Sequence, residues 1–179
     1  MPVGGVEVDT AVLFADVRGS TSLGESTPPT EFAGLLNRFY EVATDTLVRH
    51  DAVIDKLIGD EVRAFFVQGV SGPEYRRKAV EAGTELLSAV GYGTPDGPWL
   101  SMGGGERGRR LRRQRGGVRS SISRRSGTPS MSERGCRARR GGELLIREGI
   151  GAEPVAEIPR RTLNLRWHQE PIEVLVLTA

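Results

Sequence analysis

The chain has 179 residues, of which 37% are hydrophobic, and its 25 Lys and Arg stand against 23 Asp and Glu for a formal net charge of +2. That length supports one soluble α/β or α+β domain with its own core. No run reaches the roughly 18 apolar residues of a membrane span, Met1 to Asp9 lacks a basic-then-apolar signal pattern, and the single Cys136 excludes an internal disulfide and any cysteine-based metal spacing, so a cytoplasmic protein with no membrane partner is expected.

Val6 to Ala15 is predicted as a buried strand, because Val8, Ala11, Val12, Leu13 and Phe14 lead into the polar turn from Asp16 to Thr21. Pro28 and Pro29, followed by Thr30 and Glu31, open a helix in which Phe32, Leu35, Leu36, Phe39, Val42, Ala43 and Leu47 recur at helical spacing. Ala52 to Leu57 and Val62 to Val67 are predicted as antiparallel strands joined by the tight hairpin Ile58-Gly59-Asp60-Glu61. Pro73 starts a second helix through Ala79, Val80, Ala82, Leu86, Leu87 and Val90, and Gly91, Gly93, Pro95 and Gly97 then break the chain.

Residues 102 to 140 differ in composition from everything around them. Thirteen arginines fall there against Glu106 and Glu133, a charge of +11 that leaves −9 for the rest of the chain. The expected organisation is therefore one domain in two pieces, 1–101 and 141–179, separated by an aberrant or disordered Arg/Gly/Ser-rich segment over 102–140 that does not pack. Beyond it, Glu143 to Arg147 reads as a late edge element, and Ile172, Val174 and Val176 with Leu175 and Leu177 as a closing strand. Leu163, Leu165 and Trp167 look like strand packing, and His168 has no paired ligand in the sequence. The order of elements predicts an α+β fold, a ferredoxin-like βαββαβ unit with an antiparallel or mixed sheet and helices on one face, disrupted in its second half.

Two carboxylates occupy turns that this arrangement brings together, Asp16 after the first strand and Asp60 in the hairpin. Taken alone, each is an ordinary turn residue. As neighbours they could hold a divalent cation, since hard cations take oxygen ligands and keep positions for substrate phosphates. The loop Gly19-Ser20-Thr21 adds backbone amides near a helix entry, where phosphate oxygens are readily accepted.

The segment Phe14-Ala15-Asp16-Val17-Arg18-Gly19-Ser20-Thr21-Ser22-Leu23, followed by Asp55-Lys56-Leu57-Ile58-Gly59-Asp60-Glu61-Val62, resembles the two opening motifs of class III adenylate and guanylate cyclase catalytic domains. The resemblance covers Val8 to about Val90, with weaker support from Gly142 onward. It implies that Asp16 and Asp60 bind two metal ions, Mg2+ or Mn2+, that Lys56 contacts the purine and favours adenine, and that ATP is the substrate. It also implies a homodimer with its sites at the interface, the metal aspartates of one subunit facing an asparagine and an arginine of the other.

The family's second half carries a motif of the form Leu-Gly-Asp-x-Val-Asn-x-x-x-Arg-Leu, whose asparagine and arginine steady the ribose and the transition-state phosphate. This chain instead reads Ser123-Arg124-Arg125-Ser126-Gly127-Thr128-Pro129-Ser130-Met131-Ser132-Glu133-Arg134-Gly135-Cys136. Joining the third base of each codon to the first two of the next, from Ser121 to Cys136, permits DFTALGDAVNVGARL. A compensated frameshift over roughly 102–140 is the hypothesis, and the coding DNA tests it by the presence or absence of two compensating indels.

Three functions compete: an ATP-cyclising domain impaired by the missing pair, a non-catalytic cyclase-like domain that dimerises or regulates, and a nucleic-acid binder using the arginine-rich segment. The segment holds no Phe, Tyr or Trp for base stacking, which argues against the third.

Overall fold

A computed structural model describes residues 6–113, 142–147, 159–163 and 172–178. Strand β1 (Val6–Val17) lies between two antiparallel neighbours, β3 (Glu61–Val67) and β4 (Met102–Arg113). Its alternation decides what it buries: Ala11, Leu13, Ala15 and Val17 join the main core on one face. Strand β2 (Val53–Ile58) pairs with β3 as a hairpin whose loop is Gly59-Asp60, with Gly59 at φ 61°. Glycine in the first place of a two-residue loop takes that positive φ at little cost. The β2–β3 register shifts between Ile54 and Lys56, which makes Asp55 the extra residue of a β-bulge.

The first four strands stand in the order β2-β3-β1-β4, the arrangement of a ferredoxin-like βαββαβ unit, and β5 (Glu143–Arg147), β7 (Ile172–Thr178) and β6 (Arg160–Leu163) extend the sheet beyond β4. The β4–β5 pairing is parallel and the others antiparallel, so the sheet is mixed.

Helix α2 (Pro29–Arg49) begins with proline in its first turn, where no N–H partner is lost, and ends on Arg49 near its carbonyl terminus. It buries Phe39, Ala43, Thr46 and Leu47, one stripe at helical spacing. Helix α4 (Tyr75–Ala89) buries Tyr75, Ala79, Ala82, Gly83, Leu86 and Leu87 against the same core. Gly83 permits close approach: a Cβ there would lie 2.7 Å from a methyl of Leu144 and 3.3 Å from one of Leu13. Both helices pack on the same side of the sheet and against each other.

Several expectations need correction. The polar turn read from Asp16 to Thr21 is shorter, because β1 continues to Val17 and helix α1 (Ser20–Ser26) starts at Ser20 with Gly19 as its N-cap. Glu143 to Arg147 is an interior strand, with β4 on one side and β7 on the other, and Glu143, Leu144 and Leu145 are all buried as a strand covered on both faces requires. The segment from 102 onward was expected not to pack, yet its first twelve residues form β4, paired with β1 from Val17↔Met102 to Val6↔Arg113. Main-chain ladder bonds do not depend on side-chain type, and β1 offers an open edge there. The rest of that segment, from 114 to 140, lies outside the described residues, as do Cys136, Trp167 and His168. The short helix α3 (Gln68–Ser71) was not anticipated, and of the strand pattern read over Leu163, Leu165 and Trp167 only Leu163 falls within β6, the other two lying outside the described residues.

Candidate functional site

The end of β1 and the β2–β3 turn meet. Asp16 is in register with Glu61, and the Val17 N–H donates to the Asp60 carbonyl at 2.9 Å, so the two aspartates occupy adjacent positions at one end of the sheet. Both are partly buried. The Ser20 hydroxyl, from the first residue of α1, donates to Asp60 Oδ2. From α2, the Tyr40 hydroxyl donates to the Gly59 carbonyl. Burial first, and the negative charge of Asp60 second, push the Tyr40 phenol up from its ordinary value, so it stays a protonated donor.

Arg18 supplies positive charge beside Asp16. Its Nη1 lies 3.8 Å from Asp16 Oδ2, and its backbone N–H donates to the Ser101 carbonyl at 2.7 Å. The guanidinium rests on Gly103, where a Cβ would come within 2.5 Å of Arg18 Nη2, so the missing side chain is what makes room for it.

Lys56 lies four residues before Asp60 on β2, an edge strand, and is exposed. The residue before it is fixed differently. Asp55 Oδ2 accepts from Arg63 Nε at 2.6 Å and from Arg63 Nη2, and both side chains are under a tenth exposed. This buried pair spans the bulge next to Lys56.

Among the described residues no group of three or more His, Cys, Asp or Glu is placed to hold a metal ion. Two carboxylates without a third protein anion suit a hard cation that keeps positions open for water and phosphate, and fit a magnesium-type site better than a closed structural one. Of the predicted site residues, Asp16, Asp60 and Ser20 are thus drawn together and Gly19 caps α1 beside them, while Thr21 is exposed on α1 and Lys56 on β2.

No protein-family model matches the chain. It is similar to uncharacterized proteins of Mycobacterium bovis and Mycobacterium tuberculosis, 39% identical over 64 residues, and to a further one of Mycobacterium bovis, 42% identical over 64 residues. The first match takes in 36% of this chain and spans only 12% of the relative's length. Among solved structures, the guanylyl cyclase Cya2 superposes over 97% of this chain and 93% of its own, with a TM-score of 0.70 at 22% identity. The adenylyl cyclase CyaB from P. aeruginosa covers 98% and 96%, with a TM-score of 0.65 at 20% identity. The guanylate cyclase domain of RhGC from Catenaria anguillulae, solved in complex with GTP, covers 97% and 98%, with a TM-score of 0.62 at 14% identity. The chain has the nucleotide cyclase fold.

Within the cyclase fold, sequence reasoning missed Arg18, Tyr40 and the Asp55–Arg63 pair. Arg63 carried a usable signal: it is a lone charge within Val62-Arg63-Ala64-Phe65-Phe66-Val67, and a charge in a buried run demands a partner. Tyr40 carried none, because its contact is with a turn nineteen residues away. No described helix is long and apolar enough to cross a membrane.

Proposed function

We propose that this chain is a nucleotide cyclase domain whose site is built to convert ATP to cyclic AMP and pyrophosphate, and that as it stands it holds only the metal-binding half of that site. The observation that carries the reading is the meeting of Asp16 and Asp60, joined through the Val17 N–H to Asp60 carbonyl bond of 2.9 Å, with Lys56 four residues upstream. Asp16 and Asp60 would hold two divalent cations, Mg2+ or Mn2+. Such cations neutralise phosphate oxygens and make the ribose 3′-hydroxyl more acidic, so cyclisation needs no side-chain nucleophile.

The protein's own groups then position the substrate. Gly19 and Ser20, at the start of α1, lie beside the Asp60 carboxylate, and with Thr21 on the same helix they would receive the triphosphate. Lys56 is a donor only, and adenine presents an acceptor at N1 where guanine presents a donor, so a lysine on the purine edge favours ATP. Structural neighbours include both guanylyl and adenylyl cyclases, so the choice of base rests on Lys56. With the missing pair restored, the domain would act as a homodimer, the second copy completing each site.

Residues 123–136 hold no asparagine, and none of their arginines stands at the spacing of the family's asparagine–arginine motif. Removing one preorganised donor to a transition-state charge costs about 10²–10³ in rate, so this polypeptide should be nearly inactive while retaining weak metal and ATP binding. A version with the frame restored over 102–140 tests the reading. Incubated with ATP and Mn2+, it should release cyclic AMP and pyrophosphate in equal amounts, and its Asp16→Asn variant should lose about 100-fold or more of that rate. Equal turnover by the variant, or no cyclic nucleotide from the restored chain, would overturn it.

A further inference from the structure

Asp60 follows a glycine that no side chain packs against. A Cβ built on Gly59 meets nothing within 4 Å, and Gly59 itself is exposed. A carboxylate in such a turn would sample many directions unless something tied it down, and a cation site demands that its ligands be held in place beforehand. The turn is tied by hydrogen bonds from three separate elements. The Val17 N–H at the end of β1 donates to the Asp60 carbonyl at 2.9 Å, Ser20 at the start of α1 donates its hydroxyl to Asp60 Oδ2, and Tyr40 in the middle of α2 donates its phenol to the Gly59 carbonyl.

We propose that Ser20 and Tyr40 are positioning residues that together fix the Asp60 carboxylate in its cation-receiving orientation, Ser20 through the carboxylate and Tyr40 through the turn that carries it. This rests on the reading of Asp60 as a metal ligand.

The chemistry of the two donors suits the task. A carboxylate offers about four lone-pair positions, so one hydroxyl fixes its rotation and leaves the others for cations. A neutral donor does this without cancelling the charge, as a lysine or arginine in the same place would do. Tyr40 reaches the turn from a helix whose register is set by its neighbours Phe39, Ala43 and Leu47, all buried in the core. Its ring has few rotatable bonds, so holding the donor in place costs little side-chain freedom. The position of the metal carboxylate is thereby referred to α2, and through α2 to the core. Second-layer partners of metal ligands typically cost 10- to 100-fold in affinity when lost.

The test uses the chain as it stands and Mn2+ alone as the probe, reading free Mn2+ by its electron paramagnetic resonance signal. Tyr40→Phe and Ser20→Ala should each weaken Mn2+ binding about tenfold, with circular dichroism unchanged and melting within a few degrees of the parent. Ser20→Thr, which keeps the hydroxyl, should restore binding to near the parent level. Asp60→Asn should abolish it. If Asp60→Asn removes binding while Tyr40→Phe and Ser20→Ala leave it unchanged, the positioning role is wrong and the metal reading stands. If Asp60→Asn itself leaves Mn2+ binding unchanged, the metal reading fails and takes the positioning role with it. Should Tyr40→Phe fail to fold, the contrast between Ser20→Ala and Ser20→Thr decides the matter: equal Mn2+ affinity in the two overturns the role given to Ser20.

Discussion

At the scale of single residues, the sharpest constraint is the buried ion pair between Asp55 and Arg63, whose side chains are 8% and 7% exposed. Removing one partner strands a charge in the interior, whereas replacing both with apolar groups of similar volume does not. Arg63→Met alone should therefore cost about 3–5 kcal/mol in urea denaturation. The double change Asp55→Leu with Arg63→Met should recover most of that loss. Gly142 makes a second case: it has φ 79°, its N–H donates to the Met102 carbonyl at 2.8 Å, and a Cβ would meet the Tyr92 ring at 2.6 Å. Gly142→Ala should lower stability by about 1–3 kcal/mol by the same measurement, because backbone strain and ring overlap act together.

At the scale of elements, the C-terminal end of α2 is fastened to α4 by charge. Glu85 Oε1 accepts from Arg49 Nη2 at 2.7 Å, His50 Nε2 lies 2.7 Å from Glu85 Oε2, and Lys78 Nζ donates to Asp51 at 2.6 Å. His50 first, then Arg49, hold the Glu85 carboxyl below its ordinary value of 4.5. A carboxylate depressed in the folded state stabilises it above the unfolded pKa, and that contribution disappears as pH falls through the folded value. Acidification below about pH 4.5 should thus loosen this end of the helix pair, and Glu85→Gln should flatten that part of the stability–pH curve in thermal melts. Glu85 is 43% exposed, so solvent screening keeps the effect small. What the sequence revealed about elements follows from burial. Helix α2 was legible because its core stripe imposes a period on the apolar residues. Helix α1 was not, since it buries no residue and leaves no period to read. Strand β4 was hidden for a related reason: its sequence MGGGERGRRLRR has no alternation, and its pairing with β1 comes through the main chain. Strand β5 was recognised as an element but misplaced in the sheet, because its parallel partner β4 is distant in sequence and local pattern does not specify neighbours.

At the scale of the whole molecule, the first half of the cyclase fold and the meeting of Asp16 with Asp60 were readable because two short motifs, around these two residues, lie at the turns where β1 and the β2–β3 hairpin meet. The supporting residues were not, since Tyr40 and Arg18 act through tertiary contacts to Gly59 and Gly103. In the proposed function, Asp16 and Asp60 share divalent cations beneath a nucleotide. The most direct measurement is an anomalous-difference map from crystals of the chain grown with Mn2+ and a non-hydrolysable ATP analogue. Manganese peaks bridging the carboxylates of Asp16 and Asp60, with ligand distances of about 2.0–2.3 Å and the analogue's phosphates on the open side, are the predicted result. Manganese bound elsewhere, with these two carboxylates turned apart, would contradict it.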